Sequence, residues 1–211
     1  MRIDRRWFAA IAIVFLPMLV VGHDQEASYR WDLISRGLSG TTVTINAGGV
    51  ASALANDLSK ITVTGSGTFS VEDDDVSGGG TWKTFASDGV TVTGMGNYRV
   101  TRLIRFDVAP GSQTNGVLDN IGNGTLTDNR AGLAFLRVAY DDGSKGILVV
   151  SCRLPGNPPP GPAGAPATIF EGITASKGFV DYWNRVPPAG SPGTPADANH
   201  TLFHILPEGG D

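Results

Sequence analysis

Between Gly65 and Val108 one short pattern occurs three times: Gly65-Ser66-Gly67-Thr68-Phe69, Gly78-Gly79-Gly80-Thr81-Trp82 and Gly94-Met95-Gly96-Asn97-Tyr98. Each glycine pair suits a backbone position with φ > 0 or a bulge, and each aromatic opens a run with strand character. The pattern therefore predicts a turn-then-strand unit used three times. Such a stretch commits the chain to a sheet and leaves its chemistry open.

The first 22 residues differ from the rest. Arg2, Arg5 and Arg6 precede an almost wholly apolar run from Trp7 to Val21, and Val20-Val21-Gly22 is small enough for a signal peptidase. This reads as a cleaved export signal, with an uncleaved N-terminal anchor as the alternative; Pro17 interrupts a run already short for a membrane span. Arg5-Arg6-Trp7-Phe8 also resembles the core of a twin-arginine signal. The expectation is a secreted or periplasmic protein whose residues 23–211 form one domain. Cleavage removes three arginines and one aspartate and shifts the net charge from −4 to −6. That balance, without a basic cluster, points away from nucleic acid, and beyond the export signal no membrane contact is expected. Cys152 is the only cysteine, so no internal disulfide can form; its apolar neighbours predict a buried, inert thiol.

Alternation puts Tyr29, Trp31 and Leu33 on one face of a first strand, and strands follow at 41–45 and 61–64. Residues 51–59 are the one stretch with short-helix character. The longest strand runs from Tyr98 to Val108, followed by a Gly/Asn-rich loop over 111–129. Residues 131–140 and 145–153 flank Asp141-Asp142-Gly143-Ser144, the strongest hairpin signal in the chain. Pro/Gly-rich loops at 155–167 and 186–198 bracket a second hairpin, 169–184, with its turn at Ser176-Lys177, and a last strand spans 201–206. Roughly ten short strands with turn chemistry between them make an all-β fold, an antiparallel β-barrel or β-sandwich.

Residues Thr168 to Gly178, with Phe170, Gly172 and Gly178 in the hairpin, resemble the Phe-x-Gly, then Gly, hairpin of the small barrels of allene oxide cyclases and dirigent proteins. Those families carry a Gly-rich approach where this chain has Ala165-Pro166-Ala167. The resemblance implies an antiparallel barrel with an apolar cavity and, by extension, an enzyme that cyclises or isomerises a small reactive molecule. It transfers no catalytic residue.

Candidate site residues come from charges set among apolar neighbours. Alternation groups Tyr98, Val100, Arg102, Ile104, Phe106 and Val108; it places Arg137 with Leu133 and Phe135, Glu171 with Ile173, and Asp181 between Phe179 and Trp183. A charge on an inward face must be paired or open onto a wet cavity, since isolation costs several kcal/mol. In the functional reading Arg102 and Arg137 orient an anionic or carbonyl group, and Glu171 or Asp181 serves as acid/base in a cavity walled by Tyr98, Phe106 and Trp183. The plainer reading makes these charges structural salt bridges or solvent-facing side chains.

Other patterns give less. A cleaved chain would begin at His23, which with His200 or His204 invokes the copper brace of lytic polysaccharide monooxygenases, and His200 with His204 lacks a third zinc ligand. Glu72-Asp73-Asp74-Asp75 lacks EF-hand spacing, Gly78-Gly79-Gly80 is followed by no Lys-Ser/Thr, and no Gly-x-Ser-x-Gly elbow occurs. Trp82 and Phe85 fall on opposite faces, so no carbohydrate-stacking row is expected there. Neither a metal nor a cofactor is expected. The sequence favours a non-catalytic binding or structural module facing a small molecule or a surface partner, with a cavity enzyme of the cyclase or isomerase kind as the alternative.

Overall fold

The computed structural model describes residues 28–72, 75–111, 113, 116–122, 125–154, 170–186 and 199–206. The leader, His23 and the Pro/Gly loops at 155–167 and 187–198 lie outside them, as do residues 73 and 74 of the acidic run at 72–75. The strands are β1 Ser28–Ser39, β2 Thr42–Ala47, β3 Ala51–Leu54, β4 Lys60–Val63, β5 Ser66–Ser70, β6 Gly79–Phe85 and β7 Val92–Ala109. They continue as β8 Val117–Asp119, β9 Asn129–Tyr140, β10 Lys145–Cys152, β11 Gly172–Lys177, β12 Val180–Tyr182, β13 Asn184–Val186 and β14 His200–Ile205.

Six of these strands close on themselves. In the order β1, β5, β6, β7, β9, β14 each pairs antiparallel with the next, and β14 returns to β1 with Trp31 opposite Phe203. The fold is thus an antiparallel barrel with further strands attached. On one flank β10, β11 and β12 extend from β9; on the other, β4, β3 and β13 extend from β6. β2 pairs with the second half of β1 and carries β8, the one parallel partner among the described strands. Residues 51–54, expected to be helical, are β3: Ala51 and Ala53 are fully buried, and pairing with β4 and β13 overrides the weak helical preference.

The glycine-aromatic units work differently from the turn-then-strand expectation. Gly67, Gly80 and Gly96 lie inside β5, β6 and β7, directly opposite Trp31, Tyr98 and Trp82. A Cβ on Gly67 would fall 2.8 Å from the Trp31 indole nitrogen, and one on Gly96 would collide with the Asp141 carboxylate. A Cβ on Gly80 would meet the Thr64 carbonyl, so the missing side chains make room for a ring at Gly67, for backbone at Gly80 and for a carboxylate at Gly96. Only Gly78, with φ 104°, meets the expected conformational demand clearly.

Inside the ring, Tyr29, Phe69, Phe106 and Phe203 form an aromatic cluster with centroids 4.7–6.3 Å apart. Full burial of a ring such as Phe203 stabilises by about 2–3 kcal/mol. A second group, Trp82, Tyr98 and Tyr140, is roofed by Lys177, whose ammonium lies 4.0 Å from the Trp82 ring centroid and pairs with Asp142. Asp142 also accepts from the Ser144 amide at 3.0 Å, which holds the expected β9–β10 hairpin turn. The second hairpin turns at Gly178-Phe179 rather than Ser176-Lys177, since Lys177 already pairs with Val180 and Gly178 takes φ 60°. Cys152 is free and buried, its thiol pushed up by that burial, so it fits the inert thiol expected.

Candidate functional site

The seven residues singled out by alternation do not share one interior. Arg102 and Arg137 stand opposite each other across β7 and β9, both exposed on the outer face of the barrel. The cause is two irregularities in β7, between Val100 and Arg102 and between Leu103 and Arg105. They shift the alternation so that Tyr98, Val100, Leu103, Phe106 and Ala109 turn inward. Arg105 caps the same outer face, 4.8 Å from the Phe135 ring and 2.7 Å from Asp107. Tyr98 is core, its hydroxyl donating to the Thr64 carbonyl at 2.9 Å, and Phe106 belongs to the aromatic cluster. Asp181 and Trp183 are exposed on the outer side of the β11–β12 hairpin.

Glu171 is the one of the seven that lines an amphiphilic cavity. It precedes Gly172, whose φ of 112° breaks the strand alternation and turns the carboxyl back between the end of β10 and β14. Oε1 accepts from the Thr201 amide at 2.7 Å and from its hydroxyl at 3.2 Å, and Oε2 accepts from the Arg153 amide. The single Thr201 hydroxyl proton is shared with the nearer Ser151 carbonyl, 2.7 Å away. Burial pushes the carboxyl up to about 7 against these donors. Beside it opens a cavity of about 260 Å³ with Ile34, Ile45 and Leu202 in its wall and Arg36, Arg153 and His200 at its polar side.

Arg36 and Arg153 escaped the sequence reading because no local signal marks them. The cavity is assembled by β1 meeting β2 and by the end of β10 meeting β14, contacts distant in sequence. His200 shares its face of β14 with His204, four residues on, yet the two have different roles. His204 is buried, with Nε2 2.8 Å from Asp119 Oδ2 and Nδ1 4.0 Å from Asp32 Oδ2, while Arg30 grips Asp32 through two bonds of 2.8 and 2.9 Å. Burial opposes ionisation of Asp119, but the His204 bond and the Ile121 amide outweigh it and hold the carboxyl below its usual range. This cluster pins β8 across β1 and β14. Among the described residues no set of three or more His, Cys, Asp or Glu is placed to hold a metal ion.

A second opening of about 400 Å³ lies beside the β11–β12 hairpin, lined by Asn56 and Asp57 of the β3–β4 turn and by Phe179, Asp181 and Trp183. Fold and cavities together define an all-β antiparallel barrel with an amphiphilic pocket at its flank and an aromatic groove at its edge. No protein-family model matches the chain, and no curated protein or solved structure matches it.

Proposed function

We propose that the protein is a non-catalytic binding module whose cavity beside Glu171 takes a small amphiphile with an apolar body and an anionic group. The observation that carries this reading is the pairing of an aliphatic wall, Ile34, Ile45 and Leu202, with the guanidinium groups of Arg36 and Arg153. An apolar tail is accommodated by the first and a carboxylate by the second. Glu171 anchors the wall rather than working on a substrate, because both its oxygens already accept hydrogen bonds from Arg153 and Thr201. A cyclase or isomerase would need an acid free to move a proton, so the engaged Glu171 favours binding over catalysis. The leader-like residues 1–22 support export as the companion proposal.

Calorimetric titration with octanoate and with octan-1-ol tests the reading. Octanoate is expected to bind at least tenfold more tightly than the alcohol, and Arg36→Ala and Arg153→Ala each to weaken it about tenfold, or ~1.4 kcal/mol. Both arginine side chains are exposed, and Arg153→Ala keeps the backbone N–H on which Glu171 depends, so the fold is expected to survive. Equal affinity for acid and alcohol, or no binding of octanoate at about 10 mM, overturns the proposal.

A further inference from the structure

The outer face of the β11–β12 hairpin has the wrong composition for an idle surface. Phe179 at the turn is fully exposed and Trp183 is 60 % exposed, with Leu58 at 59 % nearby in sequence to the groove residues Asn56 and Asp57. Asp181 and Trp183 are exposed on either side of the buried Tyr182, and Phe179 stands out at the turn that leads into them. The floor is the β3–β4 turn, where Leu58 takes φ 67°, a left-handed conformation that a branched side chain rarely adopts. That turn is held by Asp57 Oδ1, which accepts from the Ser59 amide at 2.9 Å and its hydroxyl at 2.6 Å. Asp57 Oδ2 and the Asp181 carboxylate have no hydrogen-bond partner among the described residues.

The chemistry of this groove narrows its occupant. Among the described residues no cation lines it and two carboxylates do, so an anionic ligand or an anionic lipid surface is disfavoured. A purely apolar partner would strip water from Asp57 and Asp181 without replacing it, which disfavours such an occupant. A single small cation would suit one ring and one acid. Phe179 and Trp183, however, are four residues apart on an extended arm, roughly 13 Å at about 3.3 Å per residue, too far to enclose one charge. A neutral sugar chain answers every term: its C–H faces stack on the two rings, and its hydroxyls donate to Asp57, Asp181 and Asn56. We propose that this groove is a saccharide-binding site for a neutral linear oligosaccharide or polysaccharide. It is separate from the Glu171 cavity and stands whether or not that cavity binds an amphiphile.

Titration calorimetry with cellohexaose, mannohexaose and laminarihexaose tests the site on the full chain and on Phe179→Ser, Trp183→Ala and Asp181→Asn. All three side chains are exposed, so thermal melts of the variants are expected to match the parent. At least one hexasaccharide is expected to bind. Trp183→Ala should weaken it tenfold or more, Phe179→Ser somewhat less, and Asp181→Asn severalfold. The proposal is overturned if none of the three binds at about 10 mM, or if binding is unchanged in both aromatic variants. It is also overturned if sedimentation shows that the parent is a dimer that these variants dissociate, since the face would then be covered by a second copy.

Discussion

Phe203 sits at the crossing of four rings, 4.9 Å from Phe106 and 6.3 Å from Phe69, and no part of it reaches water; Phe179, the same side chain, stands wholly in solvent at a hairpin tip. The difference is one of strand position rather than residue type. β14 carries Phe203 in a closed ring, hydrogen-bonded to β1 along one edge and to β9 along the other, so an inward side chain is enclosed from every side. Phe179 leads into β12, three residues long, which ends the strand path and, among the described residues, pairs only with β11. Such a short edge, carrying the charge of Asp181, resists further strand addition and leaves its outer face uncovered. Aromatics in the ring hold the fold together, and aromatics at the edge are free to meet a ligand.

The largest expected effect tests the first half of that contrast. Phe203→Ala removes a ring from a packed cluster and should cost about 3–5 kcal/mol, read as the loss of unfolding free energy in urea. A loss under about 1 kcal/mol would mean that the cluster closes over the gap, and that the ring of strands encloses less tightly than the inter-ring distances indicate.

How much of this was readable in advance follows the same division. Tyr29, Trp31 and Leu33 lie in the core as their alternation requires, because a strand paired on both edges obeys the period of two without interruption. In β7 the alternation holds through Val100 and then fails twice, and neither irregularity is announced by a glycine or proline at positions 101–105. Strict alternation therefore puts Arg102 on the inward face, whereas it is exposed. Ala51–Leu54 is a strand because of what it pairs with, which local preference cannot express. At the cavity, Glu171 was legible as a charge among apolar residues, whereas Arg36 and Arg153 join it only through β1–β2 and β10–β14 proximity. Phe179, Asp181 and Trp183, which alternation groups together, are all exposed, with Phe179 in the turn ahead of β12, and the direction in which they point needs the structure.

Glu171 sits between the two extremes, where β10 and β11 leave the ring, and its titration measures how enclosed that border is. Its carboxyl is raised from 4.5 to about 7 by burial, so the folded state holds the proton more tightly than the unfolded chain does. The resulting stability is fully present below about pH 4.5 and is lost as pH rises through about 7. Between pH 5 and 8 the unfolding free energy should fall by roughly 2–3 kcal/mol from this group. Asp119 and Asp142 titrate below their usual range and stay ionised across that window, so they add no slope to it. Glu171→Gln loses the acceptor facing the Arg153 amide, a fixed cost at every pH, and should flatten the profile. A slope unchanged in this variant would assign the dependence to another group and make the border wetter than its hydrogen bonds suggest.

The smallest expected effect carries the second half of the contrast. Phe179→Ser removes as many ring carbons as a Phe203 substitution does, yet the folded chain contributes almost no burial there to lose. Its unfolding free energy should stay within about 0.5 kcal/mol of the parent. The two-residue turn is held by Gly178 at φ 60° and by the Lys177–Val180 pair, neither of which involves the Phe179 ring. A cost above about 1 kcal/mol would show that the ring is packed in solution, against a second copy or another part of the chain, and the edge would cease to be a free surface. A neutral result joined to weakened hexasaccharide binding would separate the two jobs of an aromatic side chain within one molecule. Phe203 would account for stability without recognition, and Phe179 for recognition without stability.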